Sequence, residues 1–272
     1  MKALEVVNLK KVYPSFTLDS VSFSVEEGRI VGLVGANGAG KSTTIKGILG
    51  LISAEGEATV FHCDAKSREA KELLGYAGGG FRYYPQKSVE TIARTVSAFY
   101  PKWSKEKFAY YLKRFELLSE KKIRELSEGM KVKLALALAL SHGAKLLILD
   151  EPTSGLDPFA REEFLDIILS LVKEEGVSVL FSTHIVSDLE RAADDVVLLS
   201  HGKLLVNEPL DSLKQKYSLA FFKKPQEGVI GLKAVKNGYE GLVPRTERFE
   251  GAELREPTLE EIIIHLERRD GV

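Results

Sequence analysis

The sequence predicts an α/β fold: a mostly parallel sheet, an N-terminal antiparallel β-subdomain, an inserted α-helical subdomain and a small C-terminal α+β appendage. Three observations predict it. Four near-continuous apolar runs, Arg29 to Gly35, Leu146 to Leu149, Val177 to Phe181 and Val196 to Leu199, read as strands buried on both faces. Helix-patterned stretches such as Pro158 to Glu175 separate them, and strands alternating with helices imply a parallel sheet covered on both sides. A glycine-rich turn follows the first run and opens a helix over Lys41 to Leu51.

The elements follow in chain order. From Ala3 to Val25 apolar and polar residues alternate (LEVVNLKKVY, FTLDSVSFSV), the period of half-buried antiparallel strands. Ser88 to Gly143 shows helical periodicity in TVSAFYP, KEKFAYYLKRFEL and EGMKVKLALALALSH, punctuated by Pro101 and Gly129. After about Tyr217 the texture changes to short β-like runs, SLAFFKK and YEGLVPR, and closes with the amphipathic TLEEIIIHLERR after Pro257. The expected division is one domain over residues 1–215, with a helical subdomain at about 88–143 inserted in it, and an accessory segment over 216–272.

Composition bounds the function. In 272 residues, 38 Lys+Arg face 39 Asp+Glu, a net charge of -1 that leaves no basic footprint for nucleic acid. Hydrophobic residues at 44% and charged residues at 28% exclude a disordered chain. The longest apolar stretch, Leu134 to Leu140, falls far short of the ~20 residues that cross a bilayer. The start, MKALEVVNLKKVY, lacks the apolar core of a signal peptide, so neither a membrane span nor secretion by that route is expected. The single cysteine, Cys63, can form neither an internal disulfide nor a cysteine metal cluster. It reads as a small hydrophobe in a reducing compartment.

The chemistry concentrates in three places. Gly35-Ala36-Asn37-Gly38-Ala39-Gly40-Lys41-Ser42 fits G-x-x-x-x-G-K-[ST] in full, after a buried strand and opening a helix. Glycines there let backbone N–H groups curl around α- and β-phosphates, Lys41 reaches the β- and γ-phosphates, and the Ser42 hydroxyl ligates Mg²⁺. The strand Leu146 to Leu149 ends in Asp150-Glu151, placing one carboxylate beside the metal and the next where it can polarise an attacking water. At Leu126-Ser127-Glu128-Gly129-Met130 a serine and a glycine cap a helix that begins at once, so the hydroxyl and free N–H groups can receive phosphate oxygens.

In this order and spacing, GANGAGKST, LSEGM, LLILDEPTSGLD and FSTHIVSDLE resemble the ATP-binding subunit of an ABC transporter, over about residues 3 to 210. The resemblance implies a P-loop NTPase core. It implies ATP and Mg²⁺ as cofactors, with Gly35 to Thr43 as the phosphate loop, Asp150 as metal aspartate and Glu151 as catalytic glutamate. Ser127 and Gly129 match signature positions that complete the ATP site of an opposing subunit. Ser154 to Asp157 match the loop that crosses the dimer interface, His184 matches the switch histidine that contacts the γ-phosphate, and Tyr13 stands where an aromatic stacks on adenine. A second copy or a homologous ATPase subunit, and a separately encoded transmembrane permease, are the implied partners. The implied location is cytoplasmic, peripheral on the inner face of the cell membrane, and the resemblance leans towards bacterial drug and peptide-antibiotic exporters. The alternatives are a soluble ABC ATPase without a transport role and a low-turnover nucleotide-binding regulator.

Departures from the family pattern are specific. Glu128 and Met130 replace a glycine and the glutamine of LSGGQ, and Lys131 at i+3 can pair with Glu128. After KELLGYA, where the family carries a glutamine that senses the γ-phosphate and Mg²⁺, this chain reads Gly78-Gly79-Gly80. Gly79 then holds the glutamine position, and Gln86 is the nearest stand-in.

Overall fold

Alternation and continuous apolar runs fold as their periods require. The computed structural model describes residues 1–78 and 83–269. Strands β1 (Lys2–Tyr13) and β2 (Phe16–Glu26) form a hairpin, β3 (Ile30–Val34) leads into helix α1 (Lys41–Ile48), β4 (Glu55–Val60) returns to β1, and β5 (Cys63–Asp64) pairs with β4. Then come α2 (Arg68–Leu73), β6 (Leu74–Ala77), α3 (Val89–Ser97), α4 (Lys105–Arg114) and α5 (Glu128–Ser141). The chain continues through β7 (Leu146–Asp150), α6 (Pro158–Glu175), β8 (Ser178–Thr183), α7 (Val186–Ala192), β9 (Asp195–Ser200) and β10 (Lys203–Pro209). It closes with α8 (Leu210–Lys216), β11 (Tyr217–Phe222), β12 (Ile230–Val235), β13 (Gly238–Pro244), β14 (Glu253–Arg255) and α9 (Leu259–Arg269).

Three sheets result. The first is antiparallel in the order β2-β1-β4-β5. The second runs β10-β9-β3-β8-β7-β6, parallel throughout except for the antiparallel edge strand β10. The third, β12-β13-β11-β14, carries the C-terminal strands and packs α9 against β12.

The two-faced burial of β3 and β7 fixes the site. Ile30 and Val34 enter one hydrophobic cluster while Val31 and Leu33 enter the other, and Leu147 and Leu149 oppose Leu146 and Ile148 in the same way. Complete burial of each such side chain contributes about 1.5–3 kcal/mol. Parallel register pairs Val34 with Thr183 and Asp150 with Ser182, so β3, β7 and β8 end level along one sheet edge. That carboxyl edge is where open α/β sheets place their ligands.

One detail departs from the sequence expectation. The first helix ends at Ile48 instead of Leu51, because Gly50 takes φ +67° and reverses the chain. Gly79, the glutamine position of the family pattern, lies outside the described residues, while Gln86 is exposed in a turn. Cys63 is half-buried against the second cluster.

His142 at the end of α5 yields a stability prediction. Its ring stacks on Tyr100 at 3.8 Å, and its buried Nδ1 meets no hydrogen-bond partner among the described residues. Burial lowers its pKa from 6.5 to about 4. The unfolded chain binds this proton near pH 6.5 and the folded chain only near pH 4, so the stability is full above pH 6.5 and is lost as pH falls towards 4. The loss is about 3 kcal/mol. His142→Phe keeps the ring stack and removes the titration. Denaturant unfolding at pH 7 and pH 4 should show the variant losing about 3 kcal/mol less than the parent; equal losses would mean that His142 titrates normally in the fold.

Candidate active site

The turn after β3 is shaped by positions where only glycine fits. Gly35 has φ +154°, and a Cβ there would lie 2.2 Å from the Leu199 carbonyl oxygen. Gly40, at φ +115°, precedes α1 without any side-chain cap, leaving first-turn N–H groups for an outside acceptor. Ala36, Asn37 and Gly38 are exposed between them, and Ala39 is buried. Lys41 is only 5% exposed, and its ammonium folds back over the loop. Nζ donates to the carbonyls of Gly35 at 2.7 Å and Ala36 at 3.2 Å, and lies 3.5 Å from Glu151 Oε1.

The ends of β7 and β8 supply the acidic side. Asp150 is buried, and its Oδ1 accepts from the Ser42 hydroxyl at 3.0 Å and the Ser182 hydroxyl at 2.7 Å. Glu151 takes a left-handed conformation at φ +51°, costing about 1–3 kcal/mol for a non-glycine residue. Its N–H donates to Ser182 Oγ at 2.9 Å, which helps hold that strain. The Glu151 carboxylate therefore projects between Lys41 and His184, whose Nδ1 lies 3.2 Å from Oε2. Five residues from three segments, Lys41, Ser42, Asp150, Glu151 and His184, thus meet at one edge of the sheet.

Beside them opens a cleft of about 590 Å³, within the usual range for small-molecule sites. Asn37, Gly38, Gly40, Lys41, Ser42, Thr43 and Glu151 line it together with Tyr13 to Phe16. The rings of Tyr13 and Phe16 sit 6.4 Å apart, with the Lys11 ammonium 5.4 Å from the Tyr13 ring centre. Basic and amide groups lining one cleft with aromatic rings suit a ligand with an anionic head and a planar base.

Other sequence-predicted residues stand apart from the cleft. Ser127 caps α5, accepting from the Met130 N–H at 3.2 Å. Glu128 is exposed and paired with Lys131 at 2.6 Å, and Gly129 faces Ala160 and Leu156. Asp157 caps α6, accepting from the N–H groups of Phe159 and Ala160, both at 3.0 Å.

Two contacts were not evident in the sequence. Ser182, the first residue of the Ser-Thr-His run, joins Asp150 to the Glu151 backbone, and only the strand register reveals that contact. Glu267 on α9 accepts from the Ala36 N–H at 3.2 Å, a link across 231 positions without any local signal.

The family model described as ABC transporter matches residues 18–154. The uncharacterized ABC transporter ATP-binding protein YdbJ of Bacillus subtilis is 34% identical over 80% of this chain and 73% of its own length. The bacitracin transport ATP-binding protein BcrA of Bacillus licheniformis is 34% identical over 78% of this chain and 72% of its own. A solved structure titled as the ATP binding subunit of an ABC transporter superposes with a TM-score of 0.69 at 30% identity, over 78% of this chain and 92% of that one. A family match across half the sequence, and relatives that align along most of theirs, fit the loop, strand ends and cleft described above: this chain belongs to the ABC transporter family of ATP-binding proteins and is an ATPase.

Proposed function

We propose that two copies of this chain close around two ATP molecules with Mg²⁺ and drive a separate membrane permease, as the cytoplasmic ATPase subunits of an exporter at the inner face of the cell membrane. The separation of Ser127 and Gly129 from the cleft that holds Lys41 and Glu151 carries this reading. Neither Ser127 nor Gly129 lines the cleft beside the phosphate loop, so in this reading a second copy supplies the signature. Among the described residues no helix is long and apolar enough to cross a membrane, which agrees with a permease on another chain. Export is our reading of the direction, and the relative BcrA is named for bacitracin transport.

The mechanism uses the chain's own groups. N–H groups of the phosphate loop and of the first turn of α1 receive phosphate oxygens, and Lys41 Nζ exchanges its loop carbonyls for the β- and γ-phosphates. Glu151 accepts the proton of the attacking water, and His184 donates to the γ-phosphate. Ser42 Oγ and Asp150 Oδ1, hard oxygen donors 3.0 Å apart, fit Mg²⁺, which when bound neutralises charge on the β- and γ-phosphates. Tyr13 stacks on the adenine.

Sedimentation of Glu151→Gln with ATP and Mg²⁺ tests the pairing. A dimer should form that is absent without nucleotide; a monomer in both conditions would oppose the reading. Detergent extraction of the tagged chain should also recover a polytopic membrane protein, and recovery without one would oppose the transport role.

Glu128 adds a charge to the face that approaches the second copy, and its pairing with Lys131 tempers that charge. Glu128→Gly in the Glu151→Gln background should tighten the ATP-bound dimer by about 2- to 5-fold at low salt, the scale of an exposed charge, and less as salt rises. Equal dimerisation constants across a salt series would make Glu128 electrostatically silent.

A further inference from the structure

We propose that Asp188 is a positioning residue of the ATPase reaction: its carboxylate locks together the three segments that carry Glu151, Asp157 and His184. Asp188 lies in the first turn of α7 and is completely buried. One oxygen, Oδ2, accepts from the Thr153 hydroxyl at 2.6 Å and the Thr183 hydroxyl at 3.2 Å. The other, Oδ1, accepts from Arg161 Nε, and the same guanidinium donates through Nη2 to Ser187 Oγ at 2.6 Å.

Each donor belongs to a different working segment. Thr153 follows Glu151 by two residues. Thr183 precedes His184, and its hydroxyl also accepts from the Ile185 N–H at 3.0 Å, closing the turn around the histidine. Arg161 lies on α6, one turn beyond Asp157, which caps that helix.

The sheet cannot do this work. Its ladder fixes Asp150 opposite Ser182 and Val34 opposite Thr183, but Glu151 to Asp157 and His184 to Ile185 lie beyond the strand ends. The Asp188 carboxylate is the junction that ties these segments to each other. Three donors need an acceptor on both oxygens. An asparagine would offer one acceptor oxygen and turn an NH₂ towards a donor, leaving the Arg161 charge without its counter-ion. A displacement at Asp157 is therefore passed through Arg161 and Asp188 to the backbone on either side of Glu151 and His184. The inference rests on the reading that Glu151 and His184 act on ATP.

The test compares Asp188→Asn with the parent in the full chain, measuring kcat and KM for ATP, ATP affinity by titration and thermal stability. Misplacement of Glu151 and His184 should lower kcat by about 10- to 100-fold. ATP affinity should stay within about twofold, since the phosphate loop is untouched. Arg161→Gln should also lower kcat, and the double variant should lose no more than Asp188→Asn alone. A purely structural Asp188 would lower the melting temperature and leave kcat per folded molecule unchanged, and that result overturns the proposal. Should Asp188→Asn fail to fold, Arg161→Gln and Thr153→Val each remove one arm; parent kcat in both would overturn it equally. Glu151→Gln and His184→Ala serve as controls. Full turnover in those two removes the reading of the site itself, whereas lost turnover there with a silent Asp188→Asn removes only the role of Asp188.

Discussion

Glu151→Gln lowers ATP turnover by about 10²- to 10⁴-fold, the range a positioned general base supplies, and leaves ATP affinity intact. The carboxylate sits at a strained backbone position, φ +51°, between the Lys41 ammonium and the His184 ring. A strained residue pinned from both sides is held for a purpose, because an unstrained turn would cost less. The amide keeps the shape and the Ser182 contact through the backbone but cannot take a proton from water. It also releases Lys41 from its 3.5 Å ion pair, so ATP binds at least as well as to the parent. Phosphate release and nucleotide titration on the same preparation check both halves. Turnover at the parent rate would remove Glu151 as the base.

Lys41→Ala weakens ATP binding by roughly 10- to 150-fold, the equivalent of about 1.5–3 kcal/mol for a hydrogen bond to a charged group. Lys41 also holds the carbonyls of Gly35 and Ala36, so the substitution loosens the loop as well as removing a cation. Lys41→Met separates the two effects, since it restores the buried stem without the charge. Comparable losses in both variants assign the effect to the ammonium. Unchanged affinity in both, measured by titration, would place Lys41 outside the nucleotide site.

The legible parts of this molecule are those written in local period. RIVGLVG and LLILD run apolar because β3 and β7 are covered on both faces, and LEVVNLKKVY alternates because β1 has one drier face. The loop from Gly35 to Ser42 shows its backbone geometry in its glycines, all three of which take positive-φ conformations that larger residues rarely adopt. The convergence of Asp150, Glu151 and His184 with that loop follows from parallel register, which the alternation of strands and helices implies but does not number. Contacts without periodicity were illegible. Glu267 reaches Ala36 from the far end of the chain, and in the sequence it is one more acidic residue on the polar side of an amphipathic helix. Asp188 reads as a helix-start acid in IVSDLE, and only the fold shows three donors closing on it.

In the proposed dimer each ATP site is built from the phosphate loop of one copy and the signature of another. Mixing two variants tests it most directly. Lys41→Ala spoils the loop and spares the signature, and Ser127→Arg does the reverse, so each alone should be nearly inactive. In a mixed dimer one site receives both lesions and the other receives none. Random pairing of equal amounts therefore restores about a quarter of the parent activity, because half the dimers are mixed and each has one intact site of two. Recovery on mixing is the predicted result. Activity no higher than the sum of the separate variants, or full activity in Ser127→Arg alone, would contradict the shared site.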